Sequence, residues 1–130
     1  MRTLAREIVF KYVFSTFFIN NDKELFGVLA SELNANDKEF ATKLLESIEA
    51  NKEEYLAEIE NLANGYKINR LYGTDKCALL VGMAELNTYK ETDLPIIIDE
   101  AVKLCAKYST EKSTDFVNGI LAKYAKSIER

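Results

Sequence analysis

Residues 113–124 read STDFVNGILAKY, and the Asn118-Gly119 pair at their centre decides the fold class. Between strands, Asn-Gly is the strongest short-range hairpin signal. Here Phe116, Val117, Ile120, Leu121 and Tyr124 recur at spacings of three and four around the pair. That is the period of a helix, not the alternation of a strand. The pair is therefore read as the interior of a helix that follows Ser113.

The same period extends outward in both directions. Upstream, Pro95 suits a first helical turn, and Ile98, Ala101, Val102 and Cys105 form the stripe behind it. A further segment begins near Thr74 and runs through Ala78, Val81, Ala84, Glu85 and Tyr89. Gly82 inside it costs about 1 kcal/mol against alanine, which a close helix crossing would justify. Four more segments precede it. Leu4 to Phe18 is aromatic-heavy, with Thr3 as a cap, and Asp22 to Leu33 turns Leu25, Phe26, Leu29 and Leu33 inward. Another follows Asn36 as cap and carries Phe40, Leu44, Leu45 and Ile48. The last carries Tyr55, Leu56, Ile59 and Leu62 and stops near Asn64-Gly65. The expectation is an all-α fold, a compact orthogonal bundle of about seven helices. It forms one domain over residues 1–130, with residues 1–64 and 65–130 as two helical sub-bundles.

Composition agrees. A single proline and five glycines in 130 residues leave little punctuation for a β fold. Area scaling predicts a folded surface of ~7,000 Å² against ~21,500 Å² unfolded, enough burial for a core without staples. The absence of histidine excludes histidine-based metal sites and histidine-dependent triads. Cys77 and Cys105 lie outside any CxxC pattern and read as small buried side chains in a reducing compartment. The longest apolar run, Val9 to Ile19, contains Lys11 and is too short to span a bilayer. With no signal-peptide order at the N-terminus, a cytoplasmic location away from membranes is expected.

The net charge of −4 is unevenly placed: +2 over residues 1–19, −7 over 20–61, +2 over 62–90 and −1 over 91–130. Local basic patches on such an acidic body remain compatible with nucleic-acid binding. Arg2 and Arg6, four residues apart, can share one side of a first helical turn, while Lys11 points about 140° round from Arg6. Nothing resembles catalytic machinery. There is no glycine-rich phosphate loop. Glu53, Glu54, Glu58 and Glu60 read as a solvated helix face. Asp99-Glu100 is adjacent, not convergent, and is explained by helix-end electrostatics. A non-enzymatic protein without cofactors is expected.

One pattern goes further. Ile68, Arg70, Leu71, Asp75, Leu79, Glu85 and Leu86 follow Tyr66, and Ile98-Asp99-Glu100-Ala101-Val102 precedes Phe116-Val117-Asn118-Gly119. In this arrangement the chain resembles the bacterial NusB transcription antitermination family. Ala5-Arg6-Glu7 matches the start of that family more loosely, and residues 19–64 match in length and helical rhythm. The resemblance implies an all-helical adaptor that pairs with NusE, a small-subunit ribosomal protein. The pair would bind boxA-type single-stranded RNA and promote ribosomal RNA operon transcription within the RNA polymerase antitermination complex. It implies RNA contacts at Arg2, Arg6, Lys107, Lys112 and Phe116, and partner contacts at Arg70, Leu71, Asp75 and Lys76. Some members form homodimers, so the resemblance leaves a homodimer open. The chain departs from the family pattern in carrying only two N-terminal arginines, Leu80 in place of an arginine and Asp93 in place of a proline. Fewer basic contacts imply greater reliance on NusE for RNA affinity.

Two other readings compete. One is a protein-interaction module with a NusB-like body and weak or lost RNA binding. The other is the RNA-binding part of an RNA methyltransferase, whose catalytic half would have to be a separate polypeptide. Phe116 is itself open between RNA contact and core, and Glu85 between a local helix ion pair or capping role and partner binding.

Overall fold

The computed structural model describes residues 2–19, 22–65 and 67–130; Tyr66 of the family pattern lies outside them. Six α-helices follow in order: α1 Arg2–Ser15, α2 Lys23–Leu29, α3 Ala35–Leu62, α4 Gly73–Thr88, α5 Leu94–Tyr108 and α6 Glu111–Ser127. A short 3-10 turn, Ile68–Arg70, precedes α4. The all-α class holds, but the count is six because two expected segments fuse into α3. Its 28 residues run unbroken through Glu49 to Glu54, a stretch of helix formers with neither glycine nor proline. Phe40, Leu44, Ile48, Tyr55 and Ile59 lie buried along one continuous stripe.

Several caps sit elsewhere than expected. Asn34, not Asn36, caps α3, its Oδ1 accepting from the Asp37 amide at 2.8 Å. Thr110 caps α6, so Ser113 falls inside the helix and is buried. Thr3 lies within α1 and donates its hydroxyl to Glu100 instead. The α3 terminus is as read: Asn64 and Gly65 both adopt positive φ, at 50° and 95°. Asn118-Gly119 is helix interior, within α6.

α4 is the axis of the molecule. Every residue from Cys77 to Leu86 is buried, so this helix is enclosed on all sides. α1 and α3 pack on it from one half of the chain and α5 and α6 from the other. The expected division into residues 1–64 and 65–130 is blurred, because α4 belongs to the second half yet packs closely on α1 and α3 of the first, in one shared core. The total surface is 7351 Å², close to the ~7,000 Å² that chain mass predicts.

The two helical glycines differ. A Cβ at Gly82 would meet Leu121 Cδ1 at 2.8 Å and the Ala101 Cβ at 3.3 Å. The close crossing expected there is where α4, α5 and α6 converge. Gly119 has no atom within 4 Å of its would-be Cβ. It mediates no close helix crossing, and Asn118 beside it is exposed. Arg130 closes the C-terminal end of α4. Its guanidinium donates to the Leu86 carbonyl at 2.8 Å, an acceptor the helix end leaves open, and to the Thr92 carbonyl in the following loop at 2.6 Å.

Candidate RNA and partner surfaces

α1 runs alongside α5 in the same direction. Thr3 and Arg6 meet Glu100, Glu7 meets Lys107 and Tyr108, and Phe10 stacks on Tyr108 at 4.9 Å between ring centroids. α1 runs opposite to α4, with Arg6 beside Glu85 and Phe14 beside Gly73.

These contacts revise the N-terminal arginine cluster. Arg6 is 4% exposed and Glu85 1% exposed. Arg6 grips Glu85 with two parallel bonds, Nε to Oε1 at 2.6 Å and Nη2 to Oε2 at 2.7 Å. Its Nη1 donates to Glu100 Oε1 at 3.1 Å. The bidentate geometry is the strong form of this pair. Expectation had Arg6 as a surface charge for RNA; it is a core group that joins α1, α4 and α5. Glu85 forms no local helix ion pair with Arg6; the pair spans 79 residues and joins α1 to α4. Arg2 is exposed, but its guanidinium lies over the Phe40 ring at 4.5 Å and the Tyr89 ring at 4.9 Å. Such contacts at exposed sites contribute about 0.5–1 kcal/mol, so Arg2 can be drawn away where Arg6 cannot.

The other RNA candidates gather at the α5–α6 corner. Lys107 is exposed on the last turn of α5, with its ammonium 2.6 Å from Glu7 Oε2. Tyr108 donates to the same oxygen at 2.6 Å. The Lys107 and Tyr108 hydrogen bonds hold the Glu7 carboxyl below its ordinary 4.5. Glu7 in turn raises Lys107 above its ordinary 10.5. Lys112 is exposed on the first turn of α6, and Phe116 lies one turn further along the same face. Phe116 is half-buried against the core, so it is a packing residue with one side at the surface.

The partner candidates frame a second surface. Arg70 is exposed at the end of the 3-10 turn, and Leu71 packs partly on the core. The Lys76 and Lys52 ammonium groups lie 5.2 Å and 4.6 Å from the Phe17 ring centroid. Gly73 admits Phe14 and Phe17, whose ring carbons would stand 3.2 Å and 3.9 Å from a Cβ there. Next to them, Phe18, Ile19 and Tyr72 are 71%, 55% and 62% exposed. An apolar patch rimmed by cations is a docking feature in general. Spacing alone placed the α1 aromatics in the core. Only the end of the helix at Ser15 leaves Phe18 and Ile19 outside.

Asp75 is not on that surface. It is 5% exposed. Its Oδ1 accepts from the Ser109 hydroxyl at 2.6 Å and the Cys105 thiol at 3.6 Å, and its Oδ2 from the Ser113 hydroxyl at 2.9 Å. A direct partner contact, expected from the family pattern, is replaced by a buried hydrogen-bonded carboxylate. Burial first, and then the Asp75 charge, push the Cys105 thiol up to about 12, which keeps it protonated as a donor. Burial likewise takes Cys77 to about 12, an inert core thiol. No three His, Cys, Asp or Glu side chains gather as a metal site among the described residues. No described helix is long and apolar enough to cross a membrane.

Comparison with known proteins places the chain in a family. The NusB family model matches residues 1–126. The transcription antitermination protein NusB of Ruminiclostridium cellulolyticum is 43% identical over 68 residues, 52% of this chain and 47% of that protein. The matched segment spans about half the length of the curated relatives. Solved structures match more completely. T. maritima NusB superposes with a TM-score of 0.90 at 29% identity, over 97% of this chain and 91% of that one. A crystal structure of antitermination factors NusB and NusE in complex with dsRNA matches with a TM-score of 0.86 at 30% identity, over 97% and 96%.

Proposed function

The chain belongs to the NusB family, and from that premise we propose that it is a non-catalytic transcription antitermination adaptor. It binds boxA-type single-stranded RNA together with a NusE-type ribosomal protein, as one unit within the RNA polymerase antitermination complex. The observation that carries the reading is the likeness, over 97% of this chain, to a NusB that was crystallised with NusE and dsRNA. On this chain the RNA side is the α5–α6 corner, with Lys107 and Lys112 for phosphates and the exposed edge of Phe116 for a base. Arg2 joins it by leaving the Phe40 and Tyr89 faces. The partner side is Arg70, Leu71 and Lys76, extended by Phe18, Ile19 and Tyr72.

Arg6 does not contribute to the RNA side, since its guanidinium is spent on Glu85 and Glu100. This leaves few mobile cations, so the protein depends on its partner for RNA affinity. The same observation favours a second reading, a protein-interaction module whose RNA surface has weakened. Fluorescence anisotropy of a boxA-type RNA, against scrambled and duplex RNA, with and without NusE from the same organism, separates them. Sequence-dependent binding that tightens with NusE is the expected result. Absence of binding even with NusE selects the interaction module. Equally tight binding by the isolated protein across a salt titration rejects the dependence on the partner.

A further inference from the structure

Asp75 occupies the first turn of α4, beside Lys76 and the Tyr72-Gly73 end of the apolar patch. Its carboxylate points the other way, into the junction of α5 and α6. That junction is only Ser109 and Thr110, between Tyr108, which ends α5, and Glu111, which starts α6. Ser109 and Ser113 close on opposite oxygens of the carboxylate, at 2.6 Å and 2.9 Å. Ser113 also meets Thr110, the α6 cap, at 3.0 Å between hydroxyl oxygens. Cys105, one turn back on α5, supplies the third donor. One buried carboxylate thus holds the last turn of α5, the corner and the first turn of α6. Lys107 rides on the first of these and Lys112 on the last, with Phe116 one turn further along α6.

We propose that Asp75 is a positioning residue for RNA binding: it sets Lys107 relative to Lys112 and Phe116, and ties that corner to the partner-facing turn of α4. The backbone bonds at the corner, Ser109 to Cys105 and Ser113 to Thr110, each close one helix end and do not join the two helices, so the angle between them follows from what bridges both. The Ser113 bond is buried and the Ser109 bond part-buried, and both end on a carboxylate, which makes them strong anchors for the corner. The carboxylate needs no outside donor, so a partner at Lys76 and Arg70 reaches the RNA corner through Asp75 without touching it. This inference rests on the RNA-adaptor reading above.

The experiment compares the full chain with D75A, D75N and S113A, plus N87A as a stability control. Asn87 donates to Tyr124 at 2.7 Å and Met83 at 2.9 Å, away from both surfaces. Anisotropy with boxA-type RNA and NusE is read well below every melting temperature. D75A is expected to weaken RNA binding about tenfold while NusE affinity stays within about twofold. D75N, whose amide the serine hydroxyls can still meet, recovers part of the loss. D75A combined with S113A is no weaker than D75A alone, because both remove one unit. N87A lowers the melting temperature and leaves RNA binding as it was. Loss of NusE affinity in D75A, with RNA binding by the free protein intact, would overturn the proposal and return Asp75 to the partner surface. RNA loss in N87A equal to that in D75A would overturn it as a mere stability effect. If the unaltered chain binds no RNA, the adaptor reading fails by itself. Amide exchange then decides the positioning: faster exchange over residues 109–116 in D75A with α3 unchanged supports it, and unchanged exchange at the corner overturns it.

Discussion

Two ion clusters join α1 to its neighbours one residue apart in sequence, and they behave as opposites. Arg6 with Glu85 and Glu100 is buried, bidentate and shared among three helices. Glu7 with Lys107 has similar chemistry and a 2.6 Å separation, but the Lys107 side chain is 61% exposed. Water is the difference. In the first cluster no solvent replaces a lost partner, so the charges are bound to each other for as long as the protein is folded. In the second, the exposed ammonium is within reach of water, which can replace Glu7 as its partner. A basic residue serves RNA only where its existing partner is exchangeable, and adjacent positions on one helix fall on either side of that line.

The contrast breaks most severely at its buried end. Arg6→Ala leaves Glu85 charged and unpaired in the core and should cost about 3–5 kcal/mol. Urea unfolding will measure it, and a loss near zero would mean that solvent reaches the site. At the exposed end, Lys107→Gln is expected to leave the melting temperature unchanged. It should lower the slope of log RNA affinity against log salt by about one unit. An unchanged slope would place the RNA elsewhere.

The two glycines sharpen the same comparison. Gly119→Ala meets nothing within 4 Å. It should stabilise α6 by about 0.5–1 kcal/mol through the loss of unfolded-state freedom. Gly82→Ala drives a methyl into Leu121 and should destabilise by about 1–3 kcal/mol. Calorimetry on the pair tests whether burial alone sets the sign. The smallest effect concerns pH. The Glu7 carboxyl is held below its ordinary 4.5 by Lys107 and Tyr108. A depressed carboxyl stabilises the fold fully above the ordinary value and loses that contribution as pH falls through the folded one. The small stability difference between the unaltered chain and Glu7→Gln should therefore be present at neutral pH and shrink below pH 4.5. A difference that grows on acidification would reverse the assignment.

Much of the fold was legible along the chain because its signals are local. Apolar spacing located the helices, Pro95 marked the first turn of α5, and Asn64-Gly65 marked the end of α3. The division between the third and fourth segments was not legible. A stretch of polar helix formers looks the same whether the chain turns there or runs on as α3 does. The candidate site was legible by residue type and family pattern, less so by role. Lys107 and Lys112 are exposed, while Arg6 and Asp75 are buried anchors. Glu85 stood out as a charge inside an apolar run, but its partner lies 79 residues away.

By itself, then, the order of residues determined an all-helical chain, the crossing at Gly82 and the family, since period, punctuation and motif are properties of neighbours in sequence. Tertiary structure alone decided which charges are free. Whether an arginine faces water or a carboxylate depends on helices brought together from distant parts of the chain, and the dielectric around it is set by all of them at once.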